Sequence, residues 1–200
     1  MLGKPAIAYL RPAWLATMRD EVPGYVEELR EYLEHPKFIG LKLHPLIDGF
    51  HPNDPSVHPM IELIVERDLP VLIHCGHPIF TLPWSIEELA VAFPRAKIVI
   101  GHMGHGNVVY INASIDVALR NPNVYLETSG MPMHTKIREA YERAGETRVL
   151  FGTDVPFHHP LVELTKVRVS GLPDDAIERV LSKNGRLLFF GDENAQEPVA

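Results

Sequence analysis

Five short apolar runs recur along the chain about 25–32 residues apart: Ile39–His44 (IGLKLH), Val71–His74 (VLIH), Ile98–His102 (IVIGH), Val124–Thr128 (VYLET) and Val149–Asp154 (VLFGTD). Their residues are mostly β-branched or otherwise apolar, as in strands buried on both faces of a parallel sheet. The spacing is too long for hairpins and fits repeated strand–loop–helix units. Helical patterns fill the gaps over Tyr25–Leu33, Met60–Val65, Ser85–Phe93, Val108–Leu119, Ile137–Ala144 and Asp174–Leu181. Ser85 followed three residues later by Glu88 predicts a capping box, Gly145 a helix stop, and Asp175 a cap after Pro173. Ala6–Leu10 reads as a sixth strand. The string βαβαβαβαβα is that of an α/β fold with a parallel sheet.

A doubly wound sheet and a (β/α) barrel both satisfy that string. The first usually carries a glycine-rich phosphate turn, and the chain has neither G-x-G-x-x-G nor G-x-x-x-x-G-K-[ST]. The second places functional side chains at the carboxyl ends of several strands, which is the pattern here. Side chains alternate faces along a strand. Lys42 thus shares a face with His44, Leu72 with His74, Ile98 and Ile100 with His102, and Leu150 and Gly152 with Asp154. Each run can turn one face inward and finish at the rim with His44, His74, His102 or Asp154. A lone histidine at a strand end is more often a hydrogen-bonded loop residue than a ligand, and Asp154 by itself could simply cap a helix. Agreement among four separate runs has no such local cause. Imidazoles and a carboxylate on one mouth suit Zn²⁺ and related divalent ions. His77, His105, His134, His158 and His159 fall further into the loops and are second in line. Cys75 faces away from His74 and reads as a small inert apolar residue.

Composition narrows the function classes. A net charge of −7 offers no electrostatic footprint for nucleic acid, and there is no basic amphipathic stretch for a membrane surface. No apolar run approaches the roughly 20 residues that cross a bilayer. The single cysteine excludes a disulfide framework and points to a reducing, cytoplasmic setting. The expected partners are a small-molecule substrate and, for the exposed strand edges, a second copy of the chain, with no nucleic acid and no membrane.

The stretches GLKLHP (Gly40–Pro45), PVLIHCG (Pro70–Gly76), IVIGHMG (Ile98–Gly104), VYLETSG (Val124–Gly130), VLFGTDVP (Val149–Pro156) and SKNGRLLFF (Ser182–Phe190) resemble, in that order, the amidohydrolase-related family of metal-dependent hydrolases and decarboxylases. The resemblance implies a TIM-type (β/α) barrel, incomplete, spanning about strands three to eight over residues 1–191; the polar residues 192–200 read as a frayed tail. It implies that His74 is a metal ligand, that His102 binds a second metal or acts on the substrate, and that Asp154 is a metal ligand and general base. Lys42 and His44 fall where a substrate carboxylate would sit. The family's strand-one His-x-His pair has no counterpart, because no H-x-H occurs in the chain. Two expected metal ligands are therefore missing, and an open barrel exposes two strand edges.

The activity implied is attack of a metal-activated water, on zinc first among the divalent ions, at an amide, ester or lactone carbonyl. The alternatives are decarboxylation by the same residues and a catalytically inactive short barrel.

Overall fold

Six parallel strands lie side by side in chain order in a computed structural model that describes residues 6–9 and 24–192. They are β1 (Ala6–Tyr9), β2 (Phe38–Leu43), β3 (Pro70–His74), β4 (Lys97–Gly101), β5 (Val124–Glu127) and β6 (Val149–Leu150). An order that never reverses has no switch point, which separates it from a doubly wound sheet. It is the wall of a (β/α) barrel, with six of the usual eight strands among the described residues. The sixth strand expected at Ala6–Leu10 is present over Ala6–Tyr9; Leu10 lies outside the described residues, as does most of the expected 192–200 tail.

The helices are α1 (Gly24–Glu34), the single turn α2 (Pro45–Asp48), α3 (His58–Glu66), α4 (Pro83–Ala92), α5 (Val108–Arg120), α6 (His134–Ala144), α7 (Pro160–Arg168), α8 (Asp174–Glu178) and α9 (Asn184–Phe190). Two local expectations fail. The capping box at Ser85 does not form, because α4 starts earlier at Pro83. Its fixed φ and missing N–H suit the first helical position, and Ser85 N–H already bonds the Leu82 carbonyl at 3.1 Å. Asp175 does not cap α8 either; Pro173 precedes the helix, and Asp174 and Asp175 sit in its first turn, at the positive end of its dipole.

Register decides which residues face which way. Lys42 pairs with Leu72, Leu72 with Val99, and Val99 with Tyr125, while Ile73 pairs with Ile100 and His74 with Gly101. One face carries Leu41, Leu43, Val71, Ile73, Ile98, Ile100, Val124 and Leu126 into the main core against the helices. The other carries Leu72, Val99, Tyr125 and Leu150, packed with Leu188 and Phe189 of α9. Each fully buried Leu or Ile contributes about 1.5–3 kcal/mol relative to exposure, so the sheet is held mainly through its helix-covered face.

This corrects the expected phase of β4. Ile98 and Ile100 face the helices, and Val99 and Gly101 face the inner side, so strict alternation would send His102 outward. His102 reaches the inner rim because the strand stops at Gly101 and the backbone turns left-handed, with φ 65° at His102 and 45° at Met103. The alternation expected to run from Leu150 to Asp154 is also cut short. β6 ends at Leu150, and Asp154 is presented from a loop at φ 50°.

Candidate functional site

A cavity of about 600 Å³ opens at the carboxyl ends of the strands. Lys42 lines it from β2 and His44 from the turn that follows. His74 and His77 enter from the end of β3, His102 and His105 from the end of β4, and Asp154, Phe157 and His158 from the loop after β6. Leu46 and Ile47 complete an apolar wall. All five residues picked out by the sequence, Lys42, His44, His74, His102 and Asp154, line this one space.

The imidazoles touch one another in a chain. His44 stacks on His74 with ring centroids 3.9 Å apart, and His74 Nε2 lies 2.9 Å from His77 Nδ1. His77 and His105 are 4.6 Å apart, and His74 and His102 4.8 Å. A side chain on Gly76 would collide with His105 and Gly104, so the loops after β3 and β4 approach this closely only because residue 76 is glycine, at φ 114°. Non-glycine residues at positive φ are uncommon, and bulky ones are sustained by their surroundings. Here His102, Met103, His105 and Asp154 all adopt it, clustered on the mouth.

Burial and mutual proximity lower His44, His74 and His102. Burial, reinforced by His44 and His102, pushes His74 down to about 2. Burial and the Lys42 ammonium bring His44 to about 4. The same two causes bring His102 to about 4, against the pull of Asp154. Lys42 is itself lowered by burial, while Glu127 and Asp154 favour its charged form. Cys75 is fully buried and pushed up to about 12, which makes it inert as a thiolate.

Beneath the rim lies a buried polar layer. Glu127, at the end of β5, accepts from His102 N–H at 3.1 Å, Ser129 N–H at 2.6 Å and Ser129 Oγ at 2.8 Å. Burial raises its carboxyl, and these donors and Lys42 pull it the other way. His102 Nδ1 stands 3.0 Å from both Ser129 O and Ser129 Oγ. On the neighbouring side, buried Glu163 of α7 pairs with Lys166 at 2.5 Å. Lys166 donates to the Thr128 and Met131 carbonyls at 3.2 and 2.8 Å.

Neutral imidazoles beside a carboxylate are the donor chemistry of a divalent-metal site. His74 and Asp154 would contribute such donors, but among the described residues no group of three or more His, Cys, Asp or Glu side chains is placed to hold an ion. His74 also spends its Nε2 on His77. These residues do not by themselves form a closed metal site.

The sequence reading put His77, His105 and His158 second in line, yet they share the cavity with the strand-end residues. It passed over Glu127 and Glu163. Two signals were available. H-x-x-H occurs twice, at 74/77 and 102/105, at the ends of neighbouring strands. Alternation along Val124–Glu127 sends Tyr125 and Glu127 to the inner side. His134 and His159 instead line a separate groove along α7.

The Amidohydrolase family model (Amidohydro_2) matches residues 4–190. The chain belongs to the amidohydrolase family. Among curated proteins none matches. Solved structures share its fold. An uncharacterised TIM-barrel protein from Bordetella bronchiseptica is 26% identical with a TM-score of 0.69, over 85% of this chain and 62% of that one. A 5-carboxyvanillate decarboxylase from Sphingomonas paucimobilis is 22% identical with a TM-score of 0.64, over 92% and 66%. A dihydroxybenzoic acid decarboxylase from Polaromonas sp. JS666, solved with bound manganese and 2-nitroresorcinol, is 19% identical with a TM-score of 0.63, over 82% and 64%. This amidohydrolase chain thus spans about two thirds of the length of such barrels. No helix among its described residues is long and apolar enough to cross a membrane.

Proposed function

We propose that this cavity takes a small cyclic carboxylic acid and that its residues serve decarboxylation. The observation that carries this reading is Lys42: a half-buried lysine lining an apolar-walled mouth, beside His102 and Asp154. A cation partly shielded from water attracts an anion more strongly than one in bulk solvent, because less solvent screens it. A cavity of about 600 Å³ suits one ring with its substituents. Ile47 and Phe157 supply apolar wall.

In this reading Lys42 orients the substrate's anionic group. The C–C bond to the carboxylate breaks, carbon dioxide leaves, and the carbon that keeps the electron pair takes a proton that Asp154 first accepts from solvent and then passes on. His102 accepts a hydrogen bond from a substrate hydroxyl. A divalent ion belongs to the proposal as a cofactor, zinc by the sequence expectation. Manganese is bound in the Polaromonas decarboxylase. His74 and Asp154 are the donors this chain would contribute, and no step is assigned to the ion.

The sequence placed hydrolysis of an amide, ester or lactone first. The accessible Asp154 carboxylate beside neutral His102 supports that second reading, with Asp154 as base toward water. A panel of hydroxybenzoic acids assayed for carbon dioxide, against a panel of lactones and esters assayed for released acid, separates the two. Carbon dioxide release abolished by Asp154→Asn supports the first. Turnover retained in that variant refutes the role of Asp154. Silence in both panels, with and without added zinc or manganese, supports the inactive short barrel. A homo-oligomer is a further proposal, tested by sedimentation.

A further inference from the structure

Which ring nitrogen of His102 carries its proton is decided by its neighbours. Nδ1 has two oxygens at 3.0 Å, Ser129 O and Ser129 Oγ. The carbonyl has no proton to give. The hydroxyl has one, directed at Glu127 Oε2 at 2.8 Å. Glu127 in turn is held as an acceptor by the N–H groups of His102 and Ser129. Both oxygens facing Nδ1 are thus left as acceptors, and a bare lone pair on Nδ1 would face two others in a buried site. Unsatisfied or opposed polar groups there cost about 1–3 kcal/mol.

We propose that Glu127 is a positioning residue that, through Ser129, fixes His102 as the Nδ1–H tautomer and leaves its Nε2 lone pair available to the cavity. Glu127 need not touch substrate to do this. It claims the Ser129 hydroxyl proton and, by bonding the His102 N–H, anchors the strained backbone at that residue. The space for its carboxyl exists because residue 152 is glycine: a Cβ there would overlap the Glu127 carboxyl. Three residues from three successive βα units, Glu127, Gly152 and His102, therefore depend on one another. The catalytic consequence rests on the role proposed for His102, but the tautomer does not.

The test is a long-range ¹H–¹⁵N correlation spectrum of the full chain labelled at histidine, with His102 assigned by its loss in His102→Gln. The expected spectrum shows His102 with a protonated Nδ1 and an unprotonated Nε2. An Nε2–H tautomer in the unsubstituted protein overturns the proposal. Glu127→Gln, which frees the Ser129 hydroxyl proton to bond Nδ1, is expected to move protonation toward Nε2. An unchanged His102 pattern in that folded variant refutes the control by Glu127. If Glu127→Gln does not fold, Gly152→Ala displaces the same carboxyl and is read the same way. Where turnover is measurable, Glu127→Gln lowers kcat about 10–100-fold with KM little changed. Absence of any turnover refutes the reaction proposed above and leaves the tautomer to be decided by the nitrogens alone.

Discussion

The carboxyl of Glu127 stands where a side chain on Gly152 would begin. Gly152 follows β6 and Glu127 ends β5, so the clash cannot be relieved without parting the loop from the strand or expelling a carboxyl from three hydrogen bonds. Gly152→Ala is expected to destabilise the chain by about 1–3 kcal/mol, the usual range for overpacking. Urea unfolding reads it directly, and an unchanged midpoint contradicts the close approach.

Glu163 and Lys166 act together on the loop after β5. Lys166 holds two of its carbonyls, and Gly130 N–H lies 3.3 Å from Glu163 Oε2. Removing one partner of a buried ion pair strands the other charge. Glu163→Ala is expected to cost about 3–5 kcal/mol. The double variant Glu163→Ala, Lys166→Met is expected to recover part of it. Costs that simply add would show that the pair is not coupled.

Acid is expected to weaken this fold through its buried histidines. His44, His74 and His102 are held below the ordinary histidine value of 6.5, at about 4, 2 and 4. The unfolded chain therefore binds more protons than the folded one below about pH 6.5, and stability rises with pH there. The contribution is complete above pH 6.5 and is lost as pH falls toward the folded values. Between pH 7.5 and 5.5 the loss is expected to total about 3–4 kcal/mol, about 1.4 for each of the buried His74 and His102 and less for the partly exposed His44. Urea midpoints at the two pH values measure it. His74→Gln should flatten the dependence, and an equally steep profile in that variant removes His74 from the account.

Lys42 is the residue proposed to meet the anionic group of a substrate. Lys42→Met is expected to weaken binding of a carboxylate probe such as salicylate at least tenfold by calorimetry, while a neutral phenol loses little. Equal loss for both would make the effect one of cavity shape rather than charge.

His74 and Asp154 are the donors assigned to a divalent ion. His74→Gln and Asp154→Asn are each expected to lower zinc affinity tenfold or more, read by competition with a chromophoric chelator. Equal affinity in all three proteins would place any bound ion elsewhere.

Much of the architecture was legible in order and spacing alone. Apolar runs at even intervals can bury both faces only in a parallel, helix-covered sheet, and the polar residue closing each run marks the rim of the mouth. Period-two alternation correctly turned Lys42, His44 and His74 to the inner side, because β2 and β3 are regular up to or just before those residues. It failed at His102, where the strand had already ended, and it overran β6. A left-handed backbone at a non-glycine residue has no local signature in the residue itself. The capping box at Ser85 failed for a related reason: the proline two positions earlier was the stronger initiator.

The amino-acid order by itself determined the βα rhythm, the inner and outer faces of the regular strands and the set of side chains brought to one mouth, because these follow from periodicity and connection length. Only the tertiary structure decided that His77, His105 and His158 join that mouth, that Glu127 fills the space left by Gly152, and that His102 turns inward. Those contacts join residues 25 or more positions apart, or depend on backbone strain that packing alone sustains. Pair distances of that kind arise when the sheet closes its register, and no window of neighbouring residues contains them.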